Sequence, residues 1–155
     1  MPLPNLLDYE SPREYRQHYE RNFCRGVIVT ADNIRIYFKP QKFGHAFYQN
    51  SQRRSGPKDE FAPERAMRMD WIKHTLEHPD AELYFGWNKD DKCIDEARRV
   101  SVVFEDFVVI VELSLSKQGV LKGNFVTCYL ADRSIDKIKD GPRWEKEKCL
   151  EKLKK

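Results

Sequence analysis

The stretch RRVSVVFEDFVVIVELSLSKQGVLKGNFVTCYL, residues 98–130, decides the fold. Three apolar, β-branched runs are separated by two short polar breaks, Glu105-Asp106 and Ser116–Gly119. Val- and Ile-rich runs between tight turns read as strands, here Arg98–Phe104, Phe107–Leu115 and Gly123–Leu130. Glu82–Trp87, beyond the charged loop Asn88–Ala97, adds a fourth. Such short breaks leave no room for crossover helices, so the strands follow one another as an antiparallel meander.

Upstream, residues 1–10 are Pro-rich and irregular. Ser11, Pro12 and Glu14 form a capping box, and the helix they start runs to about Phe23. Gly26 opens a hairpin, Val27–Thr30 and Ile34–Phe38, which Pro40 ends. Gly44–Ser51 reads as a short helix. A firmer helix spans Pro63–His78 and stops at His78-Pro79. Its stripe of Met69, Ile72 and Leu76 includes Arg65 one turn earlier, and Met67, Trp71, His74 and His78 form a second face. Two semi-apolar faces predict a helix packed between other elements. Gly141-Pro142 starts a charged terminal helix, 142–155.

Helices gathered before an antiparallel sheet give an α+β class. N-terminal helices pack on a four-stranded antiparallel sheet, with an extra N-terminal helix and hairpin and a C-terminal helix. At 155 residues and 40% hydrophobic, the chain reads as a single domain, 1–155. Its central region is 43–130, with an N-terminal extension, 1–38, and a C-terminal basic helix, 142–155.

Net charge is only +3, but it is segregated. Residues 39–58, KPQKFGHAFYQNSQRRSGPK, hold five cations (Lys39, Lys42, Arg53, Arg54, Lys58) and no acid. Residues 133–155 hold nine cations and five acids, whereas 59–132 hold nine cations and fifteen acids. A bipolar chain can steer a polyanion onto one surface. Cations beside rings and a central His45 suit RNA: charge for phosphate, ring faces for bases, and an imidazole that moves protons near neutral pH.

The four cysteines are scattered without a CxxC pair, which argues against zinc and for reduced thiols in the cytoplasm. Met1 to Asn22 lacks the apolar segment of a signal peptide. The longest apolar run, Phe107–Val111, is far too short for a membrane span. No phosphate-binding loop, nucleophile elbow or dinucleotide fingerprint is present. No metal or cofactor is expected. His74 and His78 lack a third ligand and read as structural.

Alternation puts Val126, Cys128 and Leu130 on one strand face and Phe125, Thr127 and Tyr129 on the other. In the same way Val100, Val102 and Phe104 oppose Arg99 and Ser101. If both polar faces lie on one side of the sheet, Arg99, Ser101, Thr127 and Tyr129 share a floor. RNA can be cut without metal by a base on the 2′-OH, an acid on the leaving 5′-oxygen and cations on the transition state. His45 is the natural base or acid, Arg99 or Arg65 a phosphate clamp, and Thr127 and Tyr129 hydrogen-bond donors. Each also has a plainer reading: His45 a surface histidine, Arg65 a snorkelling side chain, Arg99 an ion pair with Glu112, and Thr127 and Tyr129 good strand formers.

The segments Lys42-Phe43-Gly44-His45-Ala46-Phe47, Arg65–Ile72, Arg98-Arg99-Val100 and Phe125–Tyr129 resemble a phage-associated nuclease family. It belongs to the barnase/EndoU/colicin/RelE-like superfamily, whose two helices followed by a four-stranded antiparallel sheet correspond to 43–130. The resemblance implies a metal-independent endoribonuclease leaving a 2′,3′-cyclic phosphate. Its histidine falls on His45, its basic strand position on Arg98 or Arg99, and its strand hydroxyl on Thr127 with Tyr129 beside it.

The expected function is therefore RNA cleavage by a toxin-like, phage or mobile-element protein. Its partners are tRNA or mRNA and an acidic inhibitor or immunity protein covering 39–58, with no membrane. The alternatives are a non-catalytic RNA- or DNA-binding module, or a phage assembly protein docking an acidic partner through the end helix. Trp144, Leu150 and Leu153 on that helix suit either a dimer or packing on the domain.

Overall fold

The computed structural model describes residues 3–49, 60–88, 93–131 and 135–154, with backbone alone for 87–88 and 93–98. The α+β class holds. Strands β5 (Glu82–Asn88), β6 (Cys93–Phe104), β7 (Phe107–Leu115) and β8 (Leu121–Leu130) form the expected meander. Between β6 and β7 a two-residue turn suffices: Glu105, at φ 55°, takes the left-handed backbone that joins them so tightly.

The sheet is not four-stranded. Strands β1 (Ile28–Val29) and β2 (Arg35–Tyr37) extend it to six among the described residues, in the order β1-β2-β8-β7-β6-β5. β2 lies parallel to β8, so the sheet is mixed. The cause is packing at Gly123. A Cβ there would sit 2.7 Å from Ile36 Cδ1 and 3.0 Å from Leu113 Cδ2. The missing side chain is the space that lets Ile36 close against Leu113. Periodicity found the hairpin, but not where it docks.

All the helices but α5 lie over one sheet face, around a core rich in aromatic rings. α1 (Pro12–Tyr19) starts at Ser11, whose hydroxyl accepts from Glu14 N–H at 3.4 Å as the capping box requires, and continues as a π-helical turn, Glu20–Cys24. α2 runs from Lys42 to Ala46, earlier and shorter than 44–51, and strand β3 (Tyr48–Gln49) follows it. β3 pairs with β4 (Glu60–Phe61). The helix expected over 63–78 is broken at Met67-Arg68 into α3 (Pro63–Ala66) and α4 (Met69–Glu77). Tyr19, Phe43, Phe47 and Phe125 are fully buried, and Phe38 stacks on Phe125 with centroids 5.0 Å apart.

Phe125 corrects the alternation. The β7–β8 register slips between Ile110 and Val111, so Ile110 faces Thr127 while Val111 faces Phe125. Val126 is the extra residue of a β-bulge, which returns Phe125 to the core face shared with Cys128.

The C-terminal segment wraps the β5 edge. α5 (Ile135–Lys139), absent from the sequence reading, covers a small cluster of Tyr84, Val103, Val108 and Ala131 on the other sheet face. Pro142 then accepts from Phe85 N–H at 3.0 Å, and Trp144 N–H donates to Leu83 at 2.9 Å. The terminal helix begins only at Lys146, because residues 142–144 pair with β5 instead. α6 (Lys146–Leu153) buries Cys149 in the main core and packs Leu150 and Leu153 there. Its apolar side is thus occupied within the domain. Among the described residues no helix is long and apolar enough to cross a membrane.

The N-terminal segment is held by hydrogen bonds. Trp71 Nε1 donates to Pro4 at 2.8 Å, and Leu7 N–H to Met67 at 2.8 Å. His18 links Tyr9 Oη (3.0 Å from Nδ1) to Asp70 Oδ1 (2.7 Å from Nε2). An ionised Asp70 only accepts, so Nε2 carries a proton, and in the neutral ring Nδ1 accepts from Tyr9.

Two substitutions check this architecture. Gly123→Val overpacks the β2–β8 seam and lowers stability by about 1–3 kcal/mol; an unchanged urea midpoint would show that β2 does not dock there. His18→Ala removes the link to Tyr9 and speeds hydrogen exchange at the Leu7 amide, while the exchange of β7 amides stays as in wild type.

Candidate nucleic-acid interface

The expected catalytic residues fall into two groups on opposite sides of the sheet. α2 turns Phe43 and Ala46 into the core and leaves His45 exposed, with Lys42 one turn earlier. Arg65 Nη1 donates to the Ala46 carbonyl at 3.4 Å, which ties Arg65 to the helix that carries His45, on the helical side. Arg99, Ser101, Thr127 and Tyr129 occupy the other face. The register Ser101↔Ile110↔Thr127 aligns three of its side chains in one row, and Val103↔Val108↔Tyr129 the next. The shared floor exists, but the sheet separates it from His45. A single site using His45 and Arg65 together with Arg99, Thr127 and Tyr129 is therefore not formed.

Individual surroundings add to this. Arg99 Nη2 lies 3.7 Å from Glu112 Oε2, its directly opposite neighbour, as in the plainer reading. Tyr129 packs against the small cluster under α5, and burial raises its hydroxyl above the usual phenol range. It stays protonated at neutral pH and can only be a hydrogen-bond donor or acceptor, not a base. Arg98 is described by its backbone alone, and Arg53, Arg54 and Lys58 lie outside the described residues.

The ring faces expected within 39–58 are not available for bases. Phe43 and Phe47 are core residues, and Tyr48 packs between Phe43 and Phe61. Lys39 and Lys42 keep their charges at the surface side, and the Lys39 carbonyl accepts from Tyr19 Oη at 2.8 Å. His74 meets the Phe104 ring edge-on and His78 packs tilted against it, and His78 Nδ1 accepts from Asp80 N–H at 3.0 Å. Among the described residues no three potential ligands gather to hold a metal.

A different cluster appears at the end of the sheet that α5 leaves uncovered. The pairings Arg35↔Lys122 and Tyr37↔Asn124, continued by Lys122↔Ser114 and Asn124↔Glu112, set two polar rows side by side. The Arg35 guanidinium carbon is 4.7 Å from the Tyr37 ring centre, and Lys122 Nζ is 6.0 Å from it. Tyr37 is 43% exposed. Val27 and Val120, which precede β1 and β8, are each 63% exposed.

The charges here are unbalanced. Like charges directly opposite in a sheet are destabilising, by a few tenths to about 1 kcal/mol. Neither Arg35 nor Lys122 is in an ion pair among the described residues, and buried Arg35 Nε has no hydrogen-bond partner. The Tyr37 ring offsets part of this through cation–π attraction. The sequence did carry a signal: Arg35 and Tyr37 are the polar positions of the alternating run Ile34–Phe38. What it could not show is that β2 lands beside Lys122 and Asn124.

Comparison of the chain with protein-family models, curated proteins and solved structures returns no match.

The face assignment of β8 is open to a chemical check. Burial pushes the Cys128 thiol up from its usual 9.0 to about 12. At pH 8 Cys128 stays a protonated, enclosed thiol and is alkylated only after unfolding, as peptide mapping will read. Its folded value is raised, so its contribution to stability is fully present below about pH 9 and is lost as pH rises from 9 towards 12. Rapid alkylation of native Cys128 would place it on the open face.

Proposed function

We propose that the protein binds single-stranded nucleic acid, RNA first among them, on the uncovered end of its sheet. The observation that carries this reading is the exposed Tyr37 ring flanked by Arg35 and Lys122, two opposed cations without a carboxylate partner among the described residues. A ring face accepts any base, and cations beside it accept the phosphates that follow. A polyanion would relieve the repulsion that the folded chain carries alone.

A second reading is supported by one contact. Arg65, bonded to the Ala46 carbonyl on the helix that carries His45, leaves the ingredients of metal-free RNA cleavage on one side, a phosphate clamp and a proton-transfer group. On this reading the enzyme uses the helical side alone, and Arg99, Thr127 and Tyr129 take no catalytic part. A toxin role and an acidic neutralising partner over 39–58 belong to this second reading only.

Fluorescence anisotropy with a labelled single-stranded RNA, in EDTA, tests both. Tyr37→Ala weakens binding by about 1–3 kcal/mol, the worth of one stacked base. Lys122→Ala weakens it and lowers the slope of log K against log salt by about 1. Unaltered affinity in both variants would overturn the platform. Gel analysis of the same samples reads cleavage: fragments ending in cyclic phosphate, lost in His45→Ala with affinity retained, would establish the second reading.

A further inference from the structure

We infer that Asn124 and Glu112 read the edge of a base stacked on Tyr37 and discriminate against uracil. The inference rests on the binding reading above and deepens it. Tyr37, Asn124 and Glu112 are consecutive members of one cross-strand row on β2, β8 and β7. Neighbouring strands are about 4.8 Å apart, so Asn124 stands one spacing from Tyr37 and Glu112 about 10 Å away. Side chains stand roughly perpendicular to a sheet. A base stacked on the Tyr37 ring therefore stands upright beside the row, its edge reaching over Asn124 towards Glu112.

The two side chains offer different chemistry. The Asn124 carboxamide has two donors and an acceptor, and makes no hydrogen bond among the described residues. It can adapt to any base edge. Glu112 cannot: ionised, it only accepts. Its pairing with Arg99 is loose, 3.7 Å through Oε2, and its side chain is 47% exposed, so Oε1 is available. Cytosine and adenine present an exocyclic amino group that donates to a carboxylate, and guanine also carries one. Uracil presents a carbonyl oxygen where cytosine has that amino group. A carboxylate facing this oxygen sets lone pairs against each other, a repulsive element of the kind that specificity uses.

Arg99 completes the arrangement. Its guanidinium, 3.7 Å from Glu112 Oε2, draws the carboxylate towards its own end of the row, and supplies a cation for the following phosphate. Arg99 is thus a positioning residue here, not the catalytic clamp that the sequence suggested.

The cleanest comparison is labelled oligocytidylate against oligouridylate of equal length, by anisotropy at fixed salt. The two probes have equal charge and equal ring size, and differ at the amino or carbonyl group. Cytidylate should bind about fivefold more tightly, the lower end of what one specific base contact supplies. Glu112→Gln should narrow that ratio towards one, because a carboxamide can donate to the uracil oxygen, while both affinities rise as a negative charge is removed. Tyr37→Ala should weaken both probes alike. Equal, salt-dependent affinity of wild type for the two probes overturns the inference and leaves the binding reading intact, as does a ratio unchanged in Glu112→Gln. Absence of binding to either probe overturns both.

Discussion

The parallel contact between β2 and β8 is the constraint on which the other features of this domain depend. Ile36 and Leu113 fill the space that Gly123 leaves, and Phe38 stacks on Phe125 just beyond. That seam turns a four-stranded meander into a six-stranded sheet. It also gives the helices a surface wide enough for Tyr19, Phe43 and Phe47 to be wholly enclosed. The bulge at Val126 serves the same seam, since without it Phe125 would point away from Phe38.

The fold was legible where periodicity is local. β5 to β8, the capping box at Ser11 and the stop at His78-Pro79 follow from spacing and turn chemistry, and the structure has them. Long-range partnership was not legible. The hairpin at 28–37 was found as a hairpin, but nothing in its own residues names β8 as its neighbour. Strict alternation misplaced Phe125 because one bulged residue inverts a strand, and no local signal marks Val126 as that residue. Gly141-Pro142 looked like a helix start and is instead a strand bridge, since Pro142 needs only to accept a hydrogen bond from β5.

The site was legible only in part, for the same reason. Arg99, Ser101, Thr127 and Tyr129 do share a face, as alternation predicts. His45 and Arg65 also lie on one side, the helical one. Composition could not show that the sheet stands between the two groups. The basic, ring-bearing segment at 39–58 spends Phe43 and Phe47 on the core, so its aromatic content is structural. The exposed ring is Tyr37, in the strand just before that segment, and its setting depends on two residues, Lys122 and Asn124, far along the chain. A reading that weighs residues by local clustering undervalues such a set.

The seam joins positions 36 and 123, more than half the length of the chain apart. Contacts between distant segments form late, because the loop between them must close first, whereas the meander needs only three short connections. The ring-and-cation surface therefore comes into being at the end of folding, when β2 docks. Until then the hydrogen-bonding edge of β8 is bare, and a bare edge is a template for pairing with another chain. Shortening the chain from its N-terminus past β2 would leave that edge permanently open. The hairpin at the start of this protein thus guards the sheet against self-association as well as completing its surface.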